Sequence, residues 1–214
     1  MIESDSDEPV APFSLCRWLC KIALHELFDF TVCGEENVPA AGPCIIAANH
    51  CSFLDPPAAV VGCGRNTFSI ARRTLSSGGI WHWLFSRMHT IAIDRDGGND
   101  LSAIRSSLKL LERGHSILLF PEGSRSHDGT IQRGKRGVAL LVSMAKVPLI
   151  PAKIFGTFEA WNCSSKFPKL FSPVHISFGA PIMAEEYLPH SSGSDRNGLI
   201  VDFIMNRIGA IAPW

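Results

Sequence analysis

The chain has 214 residues, 46% of them hydrophobic and 19% charged, which is enough apolar mass for one domain with a sizeable core. Twenty Lys and Arg balance twenty Asp and Glu, and no nucleic-acid motif accompanies the basic residues, so a nucleic-acid partner is not expected. The balance is uneven along the chain: between Val60 and Lys153, fourteen Lys or Arg stand against six Asp or Glu, and that part is expected to meet an anion.

Glu3, Asp5, Asp7 and Glu8 fall in residues 1–11, which read as a disordered acidic tail and not as a basic secretory leader. Residues 12–30, PFSLCRWLCKIALHELFDF, form the nearest approach to a membrane span. They fall short of the ~18 uninterrupted apolar residues that a span needs. Arg17, Lys21 and His25 recur every four residues and make one helical stripe, with Leu15, Leu19, Ile22 and other apolar residues around the remaining arc. Such a helix suits a membrane interface, with Trp18 at headgroup level, and equally suits docking on its own domain.

Beyond it, 31–214 read as a single α/β unit. Strands are expected near 30–33, at 44–48 (CIIAA), 67–71, 89–94, 116–120 (SILLF), in PLIPAKIFG and at 174–179. Helices are expected from Pro56, within 74–86, over 100–114, 134–146 and 197–210. Strands alternating with helices imply one largely parallel or mixed sheet flanked by helices, preceded by the N-terminal amphipathic helix. Seven scattered cysteines without a C-x-x-C pair read as reduced thiols on the cytoplasmic side, and neither a metal nor a cofactor is implied.

Ligands of such sheets bind beyond the carboxyl ends of the strands. Asn49-His50 follows CIIAA, Asp94-Arg95 follows HTIAI, and Pro121-Glu122-Gly123 follows SILLF, so three strands deliver polar groups to one edge. In NHCSFLDP (49–56), Asp55 can cap a helix that begins at Pro56. It can also bond one nitrogen of His50 and leave the other as a base. Ser52 is expected to close the turn between them. In FPEGSRS (120–126), Gly123 permits close backbone approach to an anion, while Ser124 and Arg125 add a hydroxyl and a forked cation. Glu122 can be an arginine partner. Arg95 and Arg72 stand at strand ends, where each serves either a local salt bridge or a phosphate. Lys135 and Arg136 are expected to be solvated. FEAWNCSSKFPKLFSP (158–173) interleaves aromatics with lysines, as a headgroup interface would, or else packs its aromatics on the sheet edge.

NHCSFLDP, IAIDR, FPEGSRS and VPLIPAKIFGT together resemble, in order, the four blocks of the glycerolipid acyltransferases, the 1-acylglycerol-3-phosphate acyltransferase family with its NHxxxxD motif. Ser124 stands where the family commonly has threonine, and Met88-His89 where it often has glycine. The resemblance implies His50 as general base, Asp55 as its support, and direct attack of a glycerol hydroxyl on a thioester. It assigns Glu122, Gly123, Ser124, Arg125, Arg95 and the cation at Arg72 to the phosphorylated acceptor, lysophosphatidate. The donor implied is acyl-CoA or acyl carrier protein, and the location a membrane surface, peripheral or monotopic on its cytoplasmic face. Two rival readings remain beside another lysolipid acceptor: a silent lipid-binding module, and a metal-dependent phosphohydrolase using His50, Asp55, Asp94 and Asp128.

Overall fold

A computed structural model describes residues 11–72, 90–93, 100–188 and 195–213. Seven strands form one sheet: β1 (Phe30–Cys33), β2 (Cys44–Ala48), β3 (Thr67–Arg72), β4 (Thr90–Ile93), β5 (Ser116–Leu119), β6 (Leu149–Phe155) and β7 (Val174–Phe178). Their spatial order is β1-β7-β6-β2-β5-β3-β4. The run from β6 to β4 is parallel, β6 and β7 are antiparallel, and β1 lies parallel to β7. The expected single sheet is therefore a mixed one. The connection from β6 to the antiparallel β7 runs through residues 156–173 and includes the short helix Thr157–Trp161.

The helices are α1 (Ala11–Phe28), α2 (Asp55–Gly62), α3 (Asp100–Glu112), α4 (Arg136–Ala145), α5 (Thr157–Trp161), α6 (Ala184–Tyr187) and α7 (Arg196–Gly209). The expected helix within 74–86 lies outside the described residues, as do the acidic tail up to residue 10 and the segment 94–99.

CIIAA is buried at every position, as a central strand covered on both faces must be. Its alternation assigns the two layers. Cys44, Ile46 and Ala48 pack in one apolar cluster with Leu24 and Phe28 of α1 and Ala58 of α2. Ile45 and Ala47 join the opposite cluster with Ile104 of α3, Ala139 of α4 and Ile200 and Ile204 of α7. The result is a sheet sandwiched between two helical layers.

In α1 the buried residues are Cys16, Cys20, Leu24 and Phe28, a strict i, i+4 stripe that docks the helix on its own domain. Leu15, Trp18, Leu19 and Ile22 are exposed on the face opposite that stripe, and Arg17, Lys21 and His25 run along the flank between them. The docking reading thus holds, and the face it leaves outward carries the apolar residues beside the basic flank. No described helix is long and apolar enough to cross a membrane.

Candidate active site

β2 and β5 are parallel neighbours, so NHCSFLDP and FPEGSRS leave the sheet side by side at one edge. Asn49 is the last point fixed to the sheet. Its side-chain amide donates to the Ile154 carbonyl at 3.0 Å and accepts the Ile154 N–H at 2.7 Å, so it stands in for one more peptide of the β2–β6 ladder.

His50 follows directly. Its Nδ1 lies 2.8 Å from Asp55 Oδ2, and its ring stacks on Phe120 with centroids 4.1 Å apart. The side chain is 16% exposed while that of Asp55 is fully buried. Asp55 Oδ2 also accepts the N–H groups of Cys51 (2.6 Å) and Ser52 (2.7 Å), and Oδ1 accepts the hydroxyl of Thr157 (2.6 Å). Donors thus meet both oxygens of the carboxylate. With the aspartate bonded to Nδ1, Nε2 is the nitrogen left for chemistry, and it has no protein partner among the described residues.

The helix-cap expectation for Asp55 does not hold. Leu54 is the capping residue, without a side-chain bond, and Asp55 is already in the first turn. Pro56 and Pro57 have no N–H to offer, and the Ala58 N–H goes to the Leu54 carbonyl at 3.0 Å. The aspartate is free to turn back over residues 50–52. Ser52 closes that turn as expected, donating to Trp161 O (2.5 Å) and accepting from Leu54 N (3.0 Å).

Neither neighbour of His50 is poised as a nucleophile. The Ser52 hydroxyl is buried in those two bonds. The Cys51 thiol sits 3.4 Å from Thr157 Oγ1, and burial, reinforced by Asp55, pushes its pKa up to about 12.

Glu122 is buried and clamps two loops: Oε1 accepts the His50 N–H at 2.8 Å and Oε2 the Gln132 N–H at 2.9 Å. Burial raises its pKa, against the lowering effect of those two bonds. It does not sit as a simple arginine partner; it locks the backbone of the histidine. Ser126 N–H to His50 O, 2.8 Å, adds a second tie between the blocks. Gly123 has φ 69°, the left-handed turn that glycine adopts without strain. Ser124 is exposed beside it, and the Arg125 guanidinium lies 3.8 Å over the ring of Phe53. First- and third-block residues therefore share one mouth.

Parallel pairing carries the carboxyl ends of β3 and β4 to the same edge. Arg72 ends β3, but its side chain is outside the described residues, and so are Arg73, Asp94 and Arg95. Lys135 is exposed, and Arg136 makes a surface ion pair with Asp195 at 3.0 Å, in line with the solvated reading. Asp128 is exposed and committed to its own turn by Thr130, Ser126 and Gln132, and the bonds from Thr130 and Ser126 lower its pKa to about 2. Among the described residues no three His, Cys, Asp or Glu gather as a metal site.

Thr157, Phe120 and Gln132 escaped the reading of the sequence as site residues. The available signal was the Gly-Thr that closes VPLIPAKIFGT. Gly156 has φ 76°, and a Cβ there would overlap the Pro173 carbonyl oxygen. That tight exit from β6 puts Thr157 under Asp55.

A buried carboxylate thus stands behind an imidazole at the carboxyl edge of an α/β sheet. The chain belongs to the acyltransferase family, whose model matches residues 29–154. It is 27% identical over 201 residues to a 1-acyl-sn-glycerol-3-phosphate acyltransferase of Bacillus subtilis, covering 92% of this chain and 94% of that protein. A chloroplastic 1-acyl-sn-glycerol-3-phosphate acyltransferase of Brassica napus is 28% identical over 170 residues, 78% of this chain; the chain spans 49% of that relative's length. The fold matches the crystal structure of the 1-acyl-sn-glycerophosphate acyltransferase PlsC from Thermotoga maritima with a TM-score of 0.69 at 23% identity, covering 94% of this chain and 80% of that one.

Proposed function

We propose that the chain is an O-acyltransferase that moves a fatty acyl group from a thioester donor to the free hydroxyl of 1-acylglycerol-3-phosphate, giving phosphatidate. The observation that carries this reading is the 2.8 Å contact of His50 Nδ1 with the buried Asp55, which leaves Nε2 as the base. Nε2 takes the proton of the glycerol hydroxyl, and the oxygen attacks the thioester carbonyl. The C–O bond forms, the C–S bond breaks, and the imidazolium returns its proton to the departing thiolate. Asp55 stabilises the imidazolium and fixes its tautomer. Direct transfer is favoured over an acyl-enzyme, because Cys51 and Ser52 are both buried and bonded.

Gly123, Ser124 and Arg125, with Arg72 and Arg95, are assigned to the acceptor's phosphate and glycerol, and the basic excess of the central segment supports that assignment. Glu122 serves as a positioning residue for His50. The donor is acyl-CoA or acyl carrier protein, and residues 31–214 make up the acyltransferase unit. The outward face of α1, apolar with a basic flank, supports attachment to the cytoplasmic face of a membrane without spanning it.

A purified-enzyme assay tests the reading by crossing both donors with a panel of lysolipids. Thioester consumption is expected to depend on lysophosphatidate and to vanish in His50→Ala. Turnover that survives His50→Ala would overturn it.

A further inference from the structure

The aromatics of 158–173 divide between two environments. Trp161 packs against the apolar core, whereas Phe167 is 74% and Phe171 76% exposed, with Leu170 beside them. Leu101, Met144 and Leu199 are also exposed, each on a different helix.

Phe171 is unusual in its backbone as well. Its φ is 60°, a left-handed conformation that is uncommon for any residue but glycine and unfavourable for a bulky aromatic. Among the described residues the other non-glycine examples are Asp29 and Lys146, both polar and each just past the end of a helix. The strain at Phe171 is not offset by burial within this chain.

The turn is nonetheless firmly tied down. Lys169 N–H donates to Ala160 O at 2.7 Å, Ser172 Oγ to Lys169 O at 2.8 Å, and Phe171 N–H to Leu27 O at 2.6 Å. The last bond seats the turn against the C-terminal end of α1. Two exposed lysines, Lys166 and Lys169, flank the aromatics, and no acidic residue occurs between Glu159 and Glu185.

We propose that the 166–171 turn is a second membrane-insertion element, placing Phe167, Leu170 and Phe171 in a lipid monolayer while Lys166 and Lys169 meet anionic headgroups. Rigid, pre-ordered aromatics lose little entropy on insertion, and basic groups beside them favour anionic lipid over an uncharged surface. The inference rests on the membrane-surface reading above and extends it to a segment distant in sequence from α1. It is independent of which lysolipid is acylated. The two lysines, and the absence of acidic residues from 160 to 184, favour a lipid surface over an apolar protein groove.

Sedimentation with vesicles, without substrates, tests it: phosphatidylcholine with phosphatidylglycerol against phosphatidylcholine alone. The double variant Phe167→Ser/Phe171→Asn removes both rings, and asparagine tolerates the left-handed backbone, so the fold is kept. Its vesicle partition is expected to fall roughly tenfold or more, with Tm and activity on detergent-dispersed substrates unchanged. Lys166→Gln/Lys169→Gln is expected to lose the preference for anionic vesicles. A double variant that partitions like the wild type, while Leu15→Ser/Trp18→Ser does not, would overturn this proposal and leave the α1 reading intact. Wild type that binds neither vesicle would overturn both. Unchanged vesicle binding with lost binding to an acidic acyl carrier protein would make the turn a protein-docking surface and likewise overturn it.

Discussion

Thr157 donates its hydroxyl proton to Asp55 Oδ1 at 2.6 Å, across 102 positions of sequence. The fourth block therefore reaches His50 through the carboxylate, and the Cys51 thiol, with Thr157's proton already given to Asp55, is left to donate to the same Thr157 oxygen. Thr157→Val keeps the shape and leaves a buried carboxylate oxygen without its donor, at a cost of about 1–3 kcal/mol. Denaturant unfolding should register that loss. Turnover should fall with it, and Thr157→Ser should restore both.

Asp55→Asn separates charge from shape. The amide oxygen can accept from Cys51 and Ser52, and the amide NH₂ can face Thr157, whose hydroxyl turns to accept. The fold should survive while turnover drops by roughly three to four orders of magnitude, the scale seen when a charged partner of a catalytic histidine is neutralised. Activity close to wild type would mean that His50 is not the base.

Glu122 makes stability depend on pH. Its pKa is raised above the ordinary 4.5, so the folded chain holds this proton more tightly than the unfolded chain. Stability from this group is present below pH 4.5 and is lost as pH rises through the higher folded value. Glu122→Gln should therefore remove a downward slope in unfolding free energy that starts near pH 4.5. Parallel slopes in the two proteins would show that the burial cost is met another way. The variant should also lose activity, because an amide cannot accept both the His50 and Gln132 N–H groups.

Arg125 lies over Phe53 at the mouth of the site. Arg125→Ala should raise the acceptor KM, lowering kcat/KM roughly 10- to 100-fold. Steady-state kinetics with lysophosphatidate as the varied substrate measures it. An equal loss with an acceptor lacking phosphate would mean that the side chain only packs.

Much of this was legible because the signals are local. CIIAA and SILLF are short apolar runs bounded by polar turns, and both are central strands. The apolar spacing of Leu101, Ile104, Leu108 and Leu111 marked a helix found over Asp100–Glu112. His50 and Asp55 meet because only five positions separate them. What escaped depends on distance or on competition. Thr157 touches Asp55 only after β6 has crossed the sheet. The cap assigned to Asp55 ignored the missing N–H groups of Pro56 and Pro57. Glu122 looked like an arginine partner because sequence cannot reveal that two backbone donors from separate loops converge on it.

Asn49 carries a consequence for the lifetime of the molecule. The pairing with Ile154 works because an amide offers one donor and one acceptor. Spontaneous hydrolysis of that amide, a known weakness of asparagine on heating, would set a carboxylate against the Ile154 carbonyl and cut the last rung that anchors His50 to the sheet. A single ageing event at the end of a buried strand would then unseat the imidazole beside it.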